Sequence, residues 1–138
     1  MVKEFKNFDI SYKGANAKDF VWGLPFLKIK REILGADFIC SLNFIDEDEA
    51  QKLNIDYRKK DYTPNVLSFP LDKNCGEIYI CKKAARSQYK DFEMTYRNYI
   101  IFLFIHGCLH LSGVDHTTTR KEDSMVKLEY GFLEKYKR

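Results

Sequence analysis

The run YIIFLFI, residues 99–105, most constrains what this chain can fold into. It is the most apolar stretch of the sequence, and it leads directly into HGCLHLSGVDH, residues 106–116. It falls well short of the roughly 20 apolar residues of a membrane span, so it is expected to be a core helix of a soluble protein. All three histidines of the chain, His106, His110 and His116, lie within eleven positions at the end of that helix.

With 138 residues and 45% hydrophobic composition, the chain suffices for one domain with a real core and not for two, so residues 1–138 are taken as a single unit. No repeat, low-complexity tract or Pro/Gly/Ser linker interrupts it. Lysine plus arginine number 23 against 20 acidic residues, a formal charge of +3 that is compatible with an anionic partner without requiring one. Cys40, Cys75, Cys81 and Cys108 form no CxxC pair and no secretory signal opens the chain, so reduced thiols and a cytoplasmic location are expected.

NFDISY reads as a short strand and residues 15–34 as a first helix, interrupted at Pro25. In DFICSLNFI, Phe38, Cys40, Leu42 and Phe44 share one face of a half-buried strand. The segment DEDEAQKLNIDYRKK follows as a helix, with Asp46 as N-cap, Glu49 as its capping-box partner and Arg58, Lys59 and Lys60 at the cationic end. NVLSF and EIYIC read as strands joined by a turn over residues 70–76, with a helix over residues 82–89 before the long apolar one. Thr119 and Glu122 offer a capping box to a last helix, whose stripe of Met125, Leu128, Phe132, Leu133 and Tyr136 is expected to serve packing alone. The order, about four strands and about five helices, predicts an α+β fold.

His106 and His110, four apart on a helix, lie one turn above the other and can share a metal ion. Gly113 can end the helix in the left-handed conformation and let the chain return His116 to the same ion. Three imidazoles leave a fourth position open, the mark of a catalytic zinc, where bound water can have its pKa lowered from about 15.7 to about 7. The spacing matches the ligand frame of metzincin peptidases, which places the metal-binding helix as in zincins, but the general-base glutamate of those enzymes is here Gly107. Asp115 reads as a residue supporting the metal ligands from behind, and Cys108 as a buried thiol on another helix face.

Three segments, LNIDYRKKDYTPNVLSFP, GEIYI and HGCLHLSGVDH, resemble those of the YbeY-type endoribonucleases, metal-dependent enzymes of ribosomal RNA processing. The resemblance spans most of the chain beyond residue 38. It implies a compact α+β domain with a small mixed sheet packed with helices, one Zn2+ held by His106, His110 and His116, cleavage of single-stranded RNA, maturation of the 3′ end of 16S rRNA in the small ribosomal subunit, and late ribosome quality control. It also implies that Arg58 is the catalytic arginine. TPNV departs from the more usual Pro-Thr-Asp-Val of that family, Glu77 stands in place of an aspartate and Val114 in place of a tyrosine.

A guanidinium fork at Arg58 matches phosphate geometry and stays charged at any working pH. Lys59, Lys60, Lys82, Lys83 and Arg86 could extend a basic track for an RNA backbone, with Tyr57, Tyr62 and Tyr79 as stacking groups or as core. No organic cofactor and no membrane is expected. Two other readings stay open: a metal-dependent peptidase or other small hydrolase, and a ribosome-binding module whose zinc only staples the core helix to the last one.

Overall fold

The computed structural model describes residues 1–13, 19–113 and 119–137, with only the backbone for residues 119–122. Strands β1 (Val2–Phe5) and β2 (Phe8–Tyr12) form an antiparallel hairpin. Its two-residue turn has Asn7 at φ 61°, where an asparagine tolerates the left-handed region, and Asn7 Nδ2 donates to Ala36 O at 3.2 Å. Strand β1 was not expected. All four of its residues are exposed, so it carries no buried alternation to detect.

The expected first helix is broken into two pieces, with residues 14–18 outside the described part. A 3₁₀ turn at Phe20–Gly23 is capped by the Asp19 carboxylate, which accepts from Val21 N at 3.1 Å. Helix α1 (Phe26–Leu34) begins after Pro25, where a missing N–H is harmless, and stops at Gly35 with φ 91°. Strand β3 (Ile39–Ile45) follows with Cys40, Leu42 and Phe44 buried, as the alternation predicts. Helix α2 (Glu47–Arg58) opens on Asp46, whose carboxylate accepts from Glu49 N at 2.8 Å.

Strands β4 (Val66–Asp72) and β5 (Cys75–Cys81) are longer than expected, and only residues 73–74 separate them. Pairing continues through Pro70 with a register shift before Asp72, which β4 tolerates because it lies at the sheet edge. Helices α3 (Lys82–Gln88), α4 (Tyr96–Leu111) and α5 (Thr119–Tyr136) complete the chain, with a 3₁₀ turn at Tyr89–Phe92 between the first two. Thr95 caps α4 by accepting from Asn98 N at 3.2 Å. The expected capping box of α5 lies outside the described side chains.

The five strands order as β1-β2-β3-β5-β4, with parallel pairing of β2–β3 and β3–β5 and antiparallel pairing at both edges. The α+β class holds, with five strands rather than about four. Helix α4 lies against one sheet face and also packs on α1, α3 and α5. That explains its composition: with neighbours all round, residues 99–105 are all buried. Phe104, fully enclosed, meets Phe26 edge-on at 5.0 Å and Phe8 at 5.9 Å.

Gly107 lets α4 approach β4 and β5 closely. A Cβ there would sit 3.0 Å from Ile78 Cγ2 and 3.1 Å from Ser68 Oγ. Ser68 Oγ, in turn, donates to Gly107 O at 3.3 Å. No helix of the described residues is long and apolar enough to cross a membrane.

Candidate functional site

His106 and His110 lie on consecutive turns at the C-terminal end of α4, both half-buried. Their Nε2 atoms converge to 2.9 Å, with ring centroids 4.4 Å apart and planes at 65°. Behind His106, Glu129 on α5 places Oε1 2.7 Å from Nδ1, and its side chain is only 8% exposed. An ionised carboxylate only accepts, so Nδ1 carries the proton and the Nε2 lone pair faces His110. A metal ligand requires that tautomer, and a carboxylate behind the ring is the usual way of fixing it.

This donor set fits a divalent metal such as zinc, which takes neutral imidazoles. Among the described residues no group of three or more ligating side chains is found. His116, the third expected ligand, and Asp115 lie outside the described residues. The turn leading to them is as expected: α4 ends, Gly113 takes φ 90° and its N–H donates to His110 O at 3.2 Å.

The sequence did not single out Glu129. Of the stripe expected to serve packing alone, Met125 and Leu133 are buried, while Leu128 is 43% exposed and stands outside it. Glu129 lies four residues from each of Met125 and Leu133, so a carboxylate occupies their buried face. That spacing was the available signal, a glutamate in register with two apolar residues.

Arg58 ends α2. Lys59 turns left-handed at φ 58° and closes the helix, its N–H donating to Ile55 O at 3.1 Å. Buried Asn54 then donates from Nδ2 to Tyr62 O at 3.0 Å and fixes the chain beyond Arg58. By this route Arg58 comes to line a cavity of about 340 Å³ together with Ser68, His106 and His110. The sequence-predicted arginine and two of the predicted ligands thus share one space.

The expected basic track does not run through that cavity. Lys59 and Lys60 are exposed beside Arg58 without lining it, and Lys59 Nζ donates to Asp56 O at 3.1 Å. Lys82, Lys83 and Arg86 line a different cavity, where Lys82 pairs with Asp19 at 3.4 Å, Lys83 with Glu47 at 3.1 Å, and Arg86 lies 4.3 Å over the Tyr96 ring. Two of the three tyrosines are not core: Tyr57 is 70% and Tyr62 49% exposed. Tyr57 packs on Phe69 at 5.3 Å and Phe69 on Tyr79 at 5.8 Å, an aromatic ladder on the sheet face opposite Ser68 and Ile78, which face Gly107 of α4. Burial, with the Glu77 carboxylate accepting from its hydroxyl, pushes Tyr79 up to about 12. Cys108 is fully buried, and burial raises its thiol well above the ordinary range, so it stays protonated and inert.

The family described as Endoribonuclease YbeY matches residues 13–137 of this chain. An endoribonuclease YbeY of Ureaplasma urealyticum is 40% identical over 93 residues, covering 63% of this chain and 60% of that protein. One from Methylobacillus flagellatus is 35% identical over 107 residues, covering 75% of this chain and 72% of that protein. The match to the Ureaplasma relative thus spans less than two thirds of its length. The solution structure of TM1509 from Thermotoga maritima superposes with a TM-score of 0.65 at 27% identity, covering 92% of this chain and 87% of that one.

Proposed function

The chain belongs to the endoribonuclease YbeY family, and from that premise we propose that it is a zinc-dependent endoribonuclease cutting single-stranded RNA. The observation that carries this reading is the shared cavity, in which Arg58 meets the His106–His110 pair. Zinc would be held by His106, His110 and His116, and when bound it supplies Lewis acidity for a phosphodiester.

The chain's own side chains account for the rest. Arg58, exposed at the helix end, offers a planar fork to the non-bridging oxygens and stabilises charge that grows on them in the transition state. Glu129 holds the His106 proton on Nδ1 and so keeps the ring's donor nitrogen turned toward the cavity. Maturation of the 3′ end of 16S rRNA on the small ribosomal subunit, and a part in late ribosome quality control, are the finer assignment; the resemblance of the three sequence segments supports it. Four unpaired cysteines agree with a reducing compartment such as the cytoplasm.

The test is cleavage of a defined single-stranded RNA by protein of verified metal content, beside His110→Ala and Arg58→Ala. Loss of activity with His110→Ala and a fall of about a hundredfold or more with Arg58→Ala are expected. Equal activity in wild type and His110→Ala would sink the assignment.

The tie between His106 and Glu129 joins α4 to α5 and favours one second reading, a metal that staples the fold without catalysis. It predicts RNA binding without cleavage and unfolding on metal removal. The peptidase reading is disfavoured, because position 107 faces Ile78 and Ser68 and has no room for a glutamate.

A further inference from the structure

His106 borders two cavities. One holds Arg58 and His110, and the other, of about 410 Å³, opens between α4, α5 and the 3₁₀ turn at Tyr89–Phe92. The walls of the second carry four aromatic rings, Phe92, Tyr99, Phe102 and Tyr130, among aliphatic side chains. Phe102, 7% exposed, has Phe92 at 6.2 Å and Tyr130 at 5.2 Å. Phe92 and Tyr130 are 43% and 46% exposed, so two large rings are left partly in water at the margin of this cavity.

The charge of this second cavity differs from that of the first. No lysine or arginine lines it among the described residues, and its one carboxylate, Glu129, is turned onto His106. Among the described residues a phosphate has no cationic partner there, whereas a flat uncharged ring can stack on the aromatic walls. Asn65 supplies a polar edge: its Nδ2 is held by Gln88 Oε1 at 2.8 Å and Tyr99 Oη at 3.0 Å, which fixes the amide plane. The volume lies within the ordinary range of small-ligand sites.

We infer that this aromatic cavity binds the nucleobase of the nucleotide adjoining the cleaved phosphodiester. The inference rests on the nuclease reading for the identity of its ligand. It also gives that reading a source of strand selectivity. A base can enter the cavity only when it is out of a duplex stack, so paired RNA is excluded by the unpairing it would require.

The experiment uses the full chain with chelator present, so that no turnover occurs, and single-stranded RNAs carrying 2-aminopurine at one position at a time. Stacking in the cavity is expected to quench the fluorescence at one register only. Phe92→Ala and Tyr130→Ala should each weaken that signal about tenfold in affinity. Tyr130→Phe keeps the ring and should retain it, which separates stacking from loss of fold, as should an unchanged circular dichroism spectrum. Quenching that is uniform along the RNA, or indifferent to both alanine substitutions, overturns the proposal. Displacement of the probe by an apolar peptide and not by unlabelled RNA also overturns it, assigning the cavity to a protein partner. Register-specific quenching without any RNA cleavage when metal is restored would support the base pocket while refuting the nuclease reading, so the two fail separately.

Discussion

At the His106 ring, Glu129 Oε1 lies 2.7 Å from Nδ1, and exchanging one carboxylate oxygen for an amide changes what the ring can do. Glu129→Gln can offer its NH₂ as readily as its carbonyl, so the ring is no longer held with the proton on Nδ1. Metal affinity should fall about tenfold, read by competition with a chromophoric chelator, while the fold persists. Unchanged affinity would refute the tautomer argument.

A second residue, Asp9, is exposed to like charge. It stands in the cross-strand row Glu4, Asp9, Ser41, Glu77, and its carboxyl is raised above 3.8, first by burial and then by Glu4 and Glu77. A raised folded value means that the fold favours protonated Asp9. That contribution is fully present below pH 3.8 and is lost as pH rises through the folded value. At pH 7 the ionised group is therefore unfavourable, and Asp9→Asn should stabilise the protein by about 0.5 kcal/mol, a modest figure because the carboxylate still reaches water. Urea titrations at pH 7 and well below pH 3.8 should show the gain at the first and none at the second.

At the scale of elements, α4 unites packing and chemistry. Its apolar run is buried by the sheet and three helices, and the same burial sets His106 and His110 on its last turns with a fixed outlook. Gly107 is part of that packing. A side chain there must push Ile78 and Ser68 aside, since even a Cβ would come within 3.0 Å of Ile78. Gly107→Glu adds an unpaired carboxylate to the clash and should destabilise by about 3 kcal/mol or more in urea unfolding, without creating peptidase activity. The elements most legible in the sequence were those with strong alternation or end signals: β3 through Cys40, Leu42 and Phe44, α2 through the Asp46 cap, and α4 through its run. Strand β1 was invisible because an edge strand exposed on both faces needs no apolar pattern. The length of β4 is not legible in the sequence because Pro70 reads as a turn residue, and only its edge position makes a proline acceptable there.

At the scale of the whole molecule, sequence order and spatial order separate. Arg58 and the histidines belong to different elements, and the sheet order β3-β5-β4 with α4 across it brings them to one cavity. The sequence by itself determined the α+β class, the His106–His110 pair, the left-handed stop at Gly113 and the missing peptidase base at Gly107. Each is a local property, carried by spacing along one helix or by the backbone freedom of one residue. Only the tertiary structure decided that Glu129 supports His106, that Lys82, Lys83 and Arg86 lie away from Arg58, and that Phe92, Phe102 and Tyr130 enclose a second cavity. Those facts depend on how α5 and the 3₁₀ turn at Tyr89–Phe92 pack on α4, and contacts between elements distant in sequence leave no periodicity along the chain.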